Sequence, residues 1–229
     1  MKRRTKIFVV LAFLAAIPCF ALLGVAANRY LTIRNLPPLH NADLIFHTGL
    51  SPPSIAILSA SGSLYSHMGV IDVEKDGKVF VIEAVGHVRR TPVKDWIYRG
   101  LGSFVTIRRF RDLSPDAADR IVDDALKFQR QPYNNLFMFG GEGVYCSELA
   151  WLAYKDAGIP VGAVQTLGSL HLDNIFVRNL IEQRWRKHPL CQDDKSWESC
   201  APKIMDQKLI TPASIEADPH FVTVFSNYL

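Results

Sequence analysis

Twenty-one consecutive residues without a charge, Ile7 to Ala27, decide how the rest of the chain is read. They follow a basic start (Lys2, Arg3, Arg4, Lys6) and end in the small residues Val25-Ala26-Ala27. A basic flank, an apolar stretch and a small-residue site mark a secretory signal cut before Asn28. The stretch also exceeds the roughly 7–15 residues of a signal core and is long enough to span a bilayer, although Pro18 interrupts it. Residues 1–27 are therefore expected to be a signal peptide or an N-terminal membrane anchor, with 28–229 as the folded domain. Ile17-Pro18 ahead of Cys19 makes a poor lipidation site.

The same segment disposes of the net charge. Of 26 Lys and Arg, four lie in the first 27 residues, which hold no acid, so the remainder sets 22 basic against 22 acidic residues. The formal +4 of the chain is thus no footprint for nucleic acid. Arg108-Arg109 and Arg184 to Lys187 are short runs, more often solvated faces than phosphate tracks, and no nucleic-acid partner is expected. A hydrophobic content of 48% supplies one sizeable core and excludes a disordered tail.

Export would place the remaining cysteines, Cys146, Cys191 and Cys200, in an oxidising compartment, where an odd count leaves one unpaired. Cys191 and Cys200 lie nine apart in a polar stretch and can close a surface loop as a disulfide. A zinc site from His188, Cys191 and Cys200 lacks a fourth ligand, so no metal is expected.

Apolar patterning and turn residues predict strands at 43–46, 66–73, 78–85, 104–110 and 221–225. Helices are predicted from Pro52, from Pro115 behind Ser114, over 145–157, and from Pro212 behind Thr211. That order describes an α+β domain with a mainly antiparallel sheet.

Cys146 falls in the first turn of an apolar helix behind the Gln131–Gly143 loop. Unpaired N–H groups and the positive end of the macrodipole favour a thiolate there, and the same groups can hold an oxyanion. A buried structural cysteine is the plainer reading of its type alone. His67 lies inside a predicted core strand, where Gly69 leaves room beside the imidazole. Glu83 sits among valines on the partner strand and needs a partner if buried. The two face the same side only if the hairpin loop has three or five residues, not two. Asp72, on the opposite face from His67, is the weaker candidate to orient the histidine.

Asp43-Leu44-Ile45-Phe46, Tyr65-Ser66-His67-Met68-Gly69, Phe80 to Gly86, Thr91 to Ile97, Gln131-Pro132-Tyr133-Asn134 and Tyr145-Cys146-Ser147-Glu148-Leu149 resemble, in this order, the bacterial YiiX/YaeF family. Its members are circularly permuted relatives of the NlpC-type papain-like cysteine hydrolases. The resemblance implies a permuted papain-like domain with its antiparallel sheet packed against helices and the nucleophile at a helix N-terminus. It implies Cys146 as nucleophile, His67 as base, Glu83 as the residue orienting it, and Tyr133 as a donor near the oxyanion. Asn134 stands where many members carry aspartate, and the Cys191–Cys200 segment looks like an insertion.

The expected chemistry is hydrolysis of an amide, or an ester, through a thioester acyl-enzyme, without metal or organic cofactor. The expected partner is a peptide or lipid of the cell envelope, met in the periplasm or on the outer face of the bacterial cytoplasmic membrane. Residues 7–27 would supply membrane attachment if retained. A pocket that holds such a ligand without turnover is the alternative from a different class.

Overall fold

The computed structural model describes residues 22–228. Most of the expected signal or anchor therefore lies outside the described residues. Its last part belongs to a helix, α1, covering 22–34, which runs through the expected cleavage point between Ala27 and Asn28. Among the described residues no helix is long and apolar enough to cross a membrane.

Six antiparallel strands form the central sheet, in the order β4-β3-β2-β1-β5-β8. They are β1 (Leu44–His47), β2 (His67–Val73), β3 (Val79–Val85), β4 (His87–Pro92), β5 (Val105–Phe110) and β8 (Phe221–Ser226). The alternation of each strand gives the sheet two apolar faces. Leu44, Phe46, Met68, Val70, Ile82 and Ala84 point to one face, beneath helices α4 (Pro115–Leu126) and α5 (Cys146–Asp156). Ile45, Ile71, Val81, Val105 and Ile107 point to the other, which Trp96 and Ile97 of α3 (Val93–Arg99) cover. Ile33 of α1 packs on this second core, as do Leu36 and Leu39 behind it.

Local chemistry explains the helix starts. Ser114 caps α4 by accepting from the Ala117 N–H, and Pro115 follows where a missing donor costs nothing. Ser51 does the same for α2 (Pro52–Ser61). The sequence reading omits β4, α3 and two later helices, α6 (Ile175–Arg184) and α7 (Trp197–Met205). β4 reads His-Val-Arg-Arg-Thr-Pro, and only Val88 and Thr91 of it are buried, so it lacks the alternation that betrays a strand.

A two-stranded ribbon, β6 (Gln165–Thr166) against β7 (Lys208–Leu209), closes off the segment between them as a lobe carrying α6 and α7. Cys191 and Cys200 are joined there as a disulfide, with Cα atoms 5.2 Å apart, amid Trp185 and Ile204. Helix α6 packs on α2 through Val177, Ala56 and Ala60. The final helix, α8 (Pro212–Glu216), leads into β8.

Candidate active site

The hairpin decides which side chains can meet. Its last ladder pair before the turn is Val73 with Val79, leaving five residues, Glu74 to Lys78, in the loop. An odd loop keeps His67 and Glu83 on one face, and His67 Nε2 reaches Glu83 Oε2 at 2.7 Å. Asp72 goes elsewhere: its carboxylate pairs with Arg90 at 2.6 Å. Gly69 serves a different purpose from the room beside the imidazole that the sequence suggests. A Cβ there would stand 2.4 Å from Val81 Cγ1 and 2.8 Å from the Ile82 carbonyl, so glycine lets β3 cross closely.

Glu83 is fully buried and heavily partnered. Thr91 Oγ1 donates to it at 2.6 Å, Arg89 Nε at 3.4 Å, and the Arg99 guanidinium donates to the oxygen that His67 also holds. Burial favours the neutral acid, yet the donors and cations outweigh it and hold the carboxyl well below the usual carboxylate range. Thr91 and the two arginines lie on β4 and the end of α3, elements without a clear sequence signal. They escape a search for catalytic residue types for that reason.

Cys146 enters from the other core. It is 2% exposed, among the residues packed beneath α5, whereas His67 and Glu83 share strand parity with the Trp96 side. They meet because His67 begins β2, beyond the last β2–β3 pair at Val70 and Ile82. The Met68 backbone, past that same pair, lies beside the sulfur, as do the His67 side chain and the Ser147 backbone. Burial alone would raise the thiol, and these partners reverse it, drawing Cys146 below its ordinary value. Burial likewise opposes a charged His67, but hydrogen bonds to Cys146 and Glu83 lift it to about 9. Thiolate and imidazolium support one another. With Nε2 engaged by Glu83, Nδ1 is the ring nitrogen left for sulfur.

Tyr133 joins them beside Cys146, and burial, then the charge on that sulfur, pushes its phenol well above its ordinary value. It remains a donor at any physiological pH. Its backbone is held by the Gly86 carbonyl, which accepts from the Tyr133 N–H at 2.9 Å. Gly143, at φ +79°, brings the nucleophile loop against Pro132, where a Cβ would stand 2.0 Å from the carbonyl oxygen. Asn134 donates to the Met138 carbonyl at 2.7 Å and accepts from the Leu136 N–H at 3.1 Å. An aspartate could make only the second bond, so asparagine fits this loop.

His47 is a member that sequence reading misses, since the predicted first strand stops at Phe46. It pairs with His67 across β1 and β2, and its ring stacks on Trp96 with centroids 4.0 Å apart. Burial, then the charge on His67, keeps it well below the ordinary histidine value and therefore neutral. Its ring lies 5.2 Å from that of His67, walling the base on one side.

An apolar cavity of about 110 Å³, open in part to solvent, adjoins the nucleophile. Cys146 and Ser147 stand at one part of its lining; Ala60, Val177, Leu180 and Ile204 supply much of the rest. Gln207, its main neutral polar neighbour, already donates to the Leu136 and Phe137 carbonyls and meets His188.

The chain resembles known proteins over most of its length. It is 34% identical over 148 residues to the protein YiiX of Escherichia coli (strain K12), a match covering 64% of this chain and 73% of that protein. A crystal structure of YiiX from Escherichia coli O157:H7, described in its title as a metalloprotein, superposes with a TM-score of 0.74 at 29% identity. It covers 84% of this chain and all of that one. One cluster of ligand-type atoms stands among the described residues, Cys191, Asp194 and Cys200, and it does not fit a metal. Its two sulfurs are bonded to each other and Asp194 pairs with Lys203. The model of the permuted papain-like amidase enzymes, YaeF/YiiX, C92 family, matches residues 39–225. The α+β architecture, the antiparallel sheet under helices and this match agree: the chain belongs to the YaeF/YiiX family of permuted papain-like amidases and is a cysteine amidase-like hydrolase.

Proposed function

We propose that the protein is an exported cysteine amidase that removes a long acyl chain from an amide-linked lipid of the cell envelope, an ester being the second choice of bond. The observation that carries this reading is the apolar cavity beside Cys146: an acyl group attached to that sulfur would have apolar walls to enter and few unpartnered polar groups to satisfy.

In this reading the Cys146 thiolate attacks the carbonyl carbon, and the displaced electron pair collects on oxygen, where the Tyr133 phenol donates to it. His67, charged and held by Glu83, passes its Nδ1 proton to the departing amine as the C–N bond breaks. A thioester remains, with its chain in the cavity. Neutral His67 then takes one proton from water, whose oxygen attacks the thioester; the carboxylic acid leaves and loses its proton to solvent, and the thiolate–imidazolium pair is regenerated. The basic start, the charge-free run at 7–27 and a disulfide in the lobe support the periplasm or the outer face of the cytoplasmic membrane as the site of action.

The test is a chain-length series of N-acyl amides and acyl esters, with the acyl-enzyme trapped and weighed by mass spectrometry. Longer chains should react faster, the added mass should map to Cys146, and Ala60→Phe should cut long-chain turnover while sparing the shortest amides. Chain-length independence, or a free acyl product formed by Cys146→Ala, would overturn the reading. An inert thiol would favour a module that holds its ligand without turnover.

A further inference from the structure

Helix α2 is built unlike a helix that faces water. Between Thr48 and Ser66 nineteen residues carry no charge, and α2 lies in their midst. Its buried contacts are only Ala56 and Ala60, while Ile55, Ile57 and Leu58 are each half-buried on differing sides of the helix. A helix apolar all round belongs in a core or in lipid. Here one side makes the cavity wall, through Ala56, Ile57 and Ala60, while Ile55 and Leu58 on the other sides stay partly exposed.

Exposed leucines frame it. Thr48 gathers their backbones: its hydroxyl donates to the Leu64 carbonyl at 2.6 Å, its carbonyl accepts from the Leu101 N–H at 2.9 Å, and Leu50 follows two residues on. Leu50 and Leu64 are 64% and 58% exposed, and Leu101 is exposed as well. Across α2, the first turn of α6 adds exposed Ile175 and Phe176. Scattered exposed leucines mean little, but a charge-free stretch that carries exposed apolar residues around a cavity wall marks an interaction site.

The chain's own path names the occupant. Helix α1 is fastened beside Leu101: Asn28 Nδ2 donates to the Gly102 carbonyl at 2.6 Å, and Arg29 to the Tyr98 carbonyl at 3.1 Å and to Ser103 Oγ at 3.3 Å. The charge-free run 7–27 therefore joins the domain at this same edge, with Leu22 and Leu23 exposed on the way. We infer that the surface formed by α2, Leu50, Leu64 and Leu101 rests in the interfacial region of a lipid bilayer, so that α2 separates the acyl chains of the membrane from the cavity beside Cys146. The inference extends the proposed lipid substrate, but the contact itself can be measured without any substrate.

The experiment places a reporter at the surface of the full chain, reconstituted in phosphatidylethanolamine–phosphatidylglycerol vesicles. Leu64→Trp should add blue-shifted fluorescence that lipids brominated on their acyl chains quench, whereas Asp76→Trp, at the tip of the β2–β3 turn, should report water. Added fluorescence at position 64 that brominated lipid leaves alone and aqueous iodide quenches would overturn the inference. So would shielding at 64 without lipid, accompanied by a dimer mass, which would assign the face to a second copy. Leu50→Asp with Leu64→Asp should lower turnover of vesicle-embedded substrate roughly tenfold or more while leaving alkylation of Cys146 by iodoacetamide unchanged. Loss of quenching at 64 overturns the membrane contact alone, whereas intact quenching with no lipid turnover overturns only the substrate.

Discussion

Replacing Glu83 by glutamine tests the chain of dependence that makes Cys146 reactive. The substitution keeps shape and most hydrogen-bonding capacity and removes one buried charge. His67 rises from 6.5 to about 9, which corresponds to about 3 kcal/mol favouring the imidazolium, supplied by Cys146 and Glu83 net of the cost of burial. If the two partners contribute comparably, losing the carboxylate charge removes at least half of that net gain, or about one unit or more of histidine pKa. Because the folded value is raised, the imidazolium is fully present at acidic pH and is lost as pH climbs through about 9. The alkaline limb of turnover, which reports the proton that His67 gives to the leaving group, should move down by about one unit. The acid limb of Cys146 alkylation, followed on the isolated Cys146 peptide by mass spectrometry, should move up, because the thiolate loses part of its counterion. Thr91 and Arg99 would lose an ionised acceptor, so the melting temperature should fall as well. A variant with both limbs in place would refute the reasoning, whatever its stability, since it would mean that Glu83 holds the fold and not the base.

Further outcomes are expected. Cys146→Ala should abolish turnover without lowering the melting temperature by more than a small core truncation does. Tyr133→Phe should reduce kcat on the order of 10²-fold while Cys146 still alkylates, because the lost donor faces the oxyanion and not the thiol's activation; equal losses in both assays would contradict that division. Burial raises Glu148 to about 7, favouring its neutral form, so its stabilisation is complete at acidic pH and is lost as pH rises through 7. Thermal stability should therefore decline between about pH 4.5 and 7, and with His67 between about 6.5 and 9, and Glu148→Gln should erase the first decline. Cys191→Ser with Cys200→Ser should cost about 2–4 kcal/mol. Amide exchange should speed up across 185–205 before it does in the central sheet.

Much of the site could be read from the sequence because its members sit where simple rules apply. Cys146 follows a glycine loop at a helix start, and His67 and Glu83 lie on strands whose relation depends on the length of one loop. Five loop residues placed them on a common face, as an odd count requires. What escaped were groups whose roles come from three-dimensional neighbours. Arg99 ends a short helix, Thr91 stands on a strand rich in arginine, and His47 follows what reads as the end of a strand. None has a spacing relation to Glu83 or His67 that survives in one dimension. The lobe shows the same limit: its helices are short, its cores small, and a ribbon of two residues per strand closes it. The side of the sheet from which Cys146 arrives was equally hidden, because parity assigns a face within a sheet but says nothing about what reaches around its end.

That last arrangement has a consequence for how the thiol lives before the enzyme is complete. Cys146 is placed by one core and its ion-pair partner by the other, so a chain in which only one side of the sheet has packed holds an ordinary, mostly protonated cysteine. Thiol–disulfide exchange proceeds through the thiolate. While Cys191 and Cys200 find each other, the third thiol is therefore a poor competitor, and its reactivity arrives only once both halves of the domain have closed around the sheet.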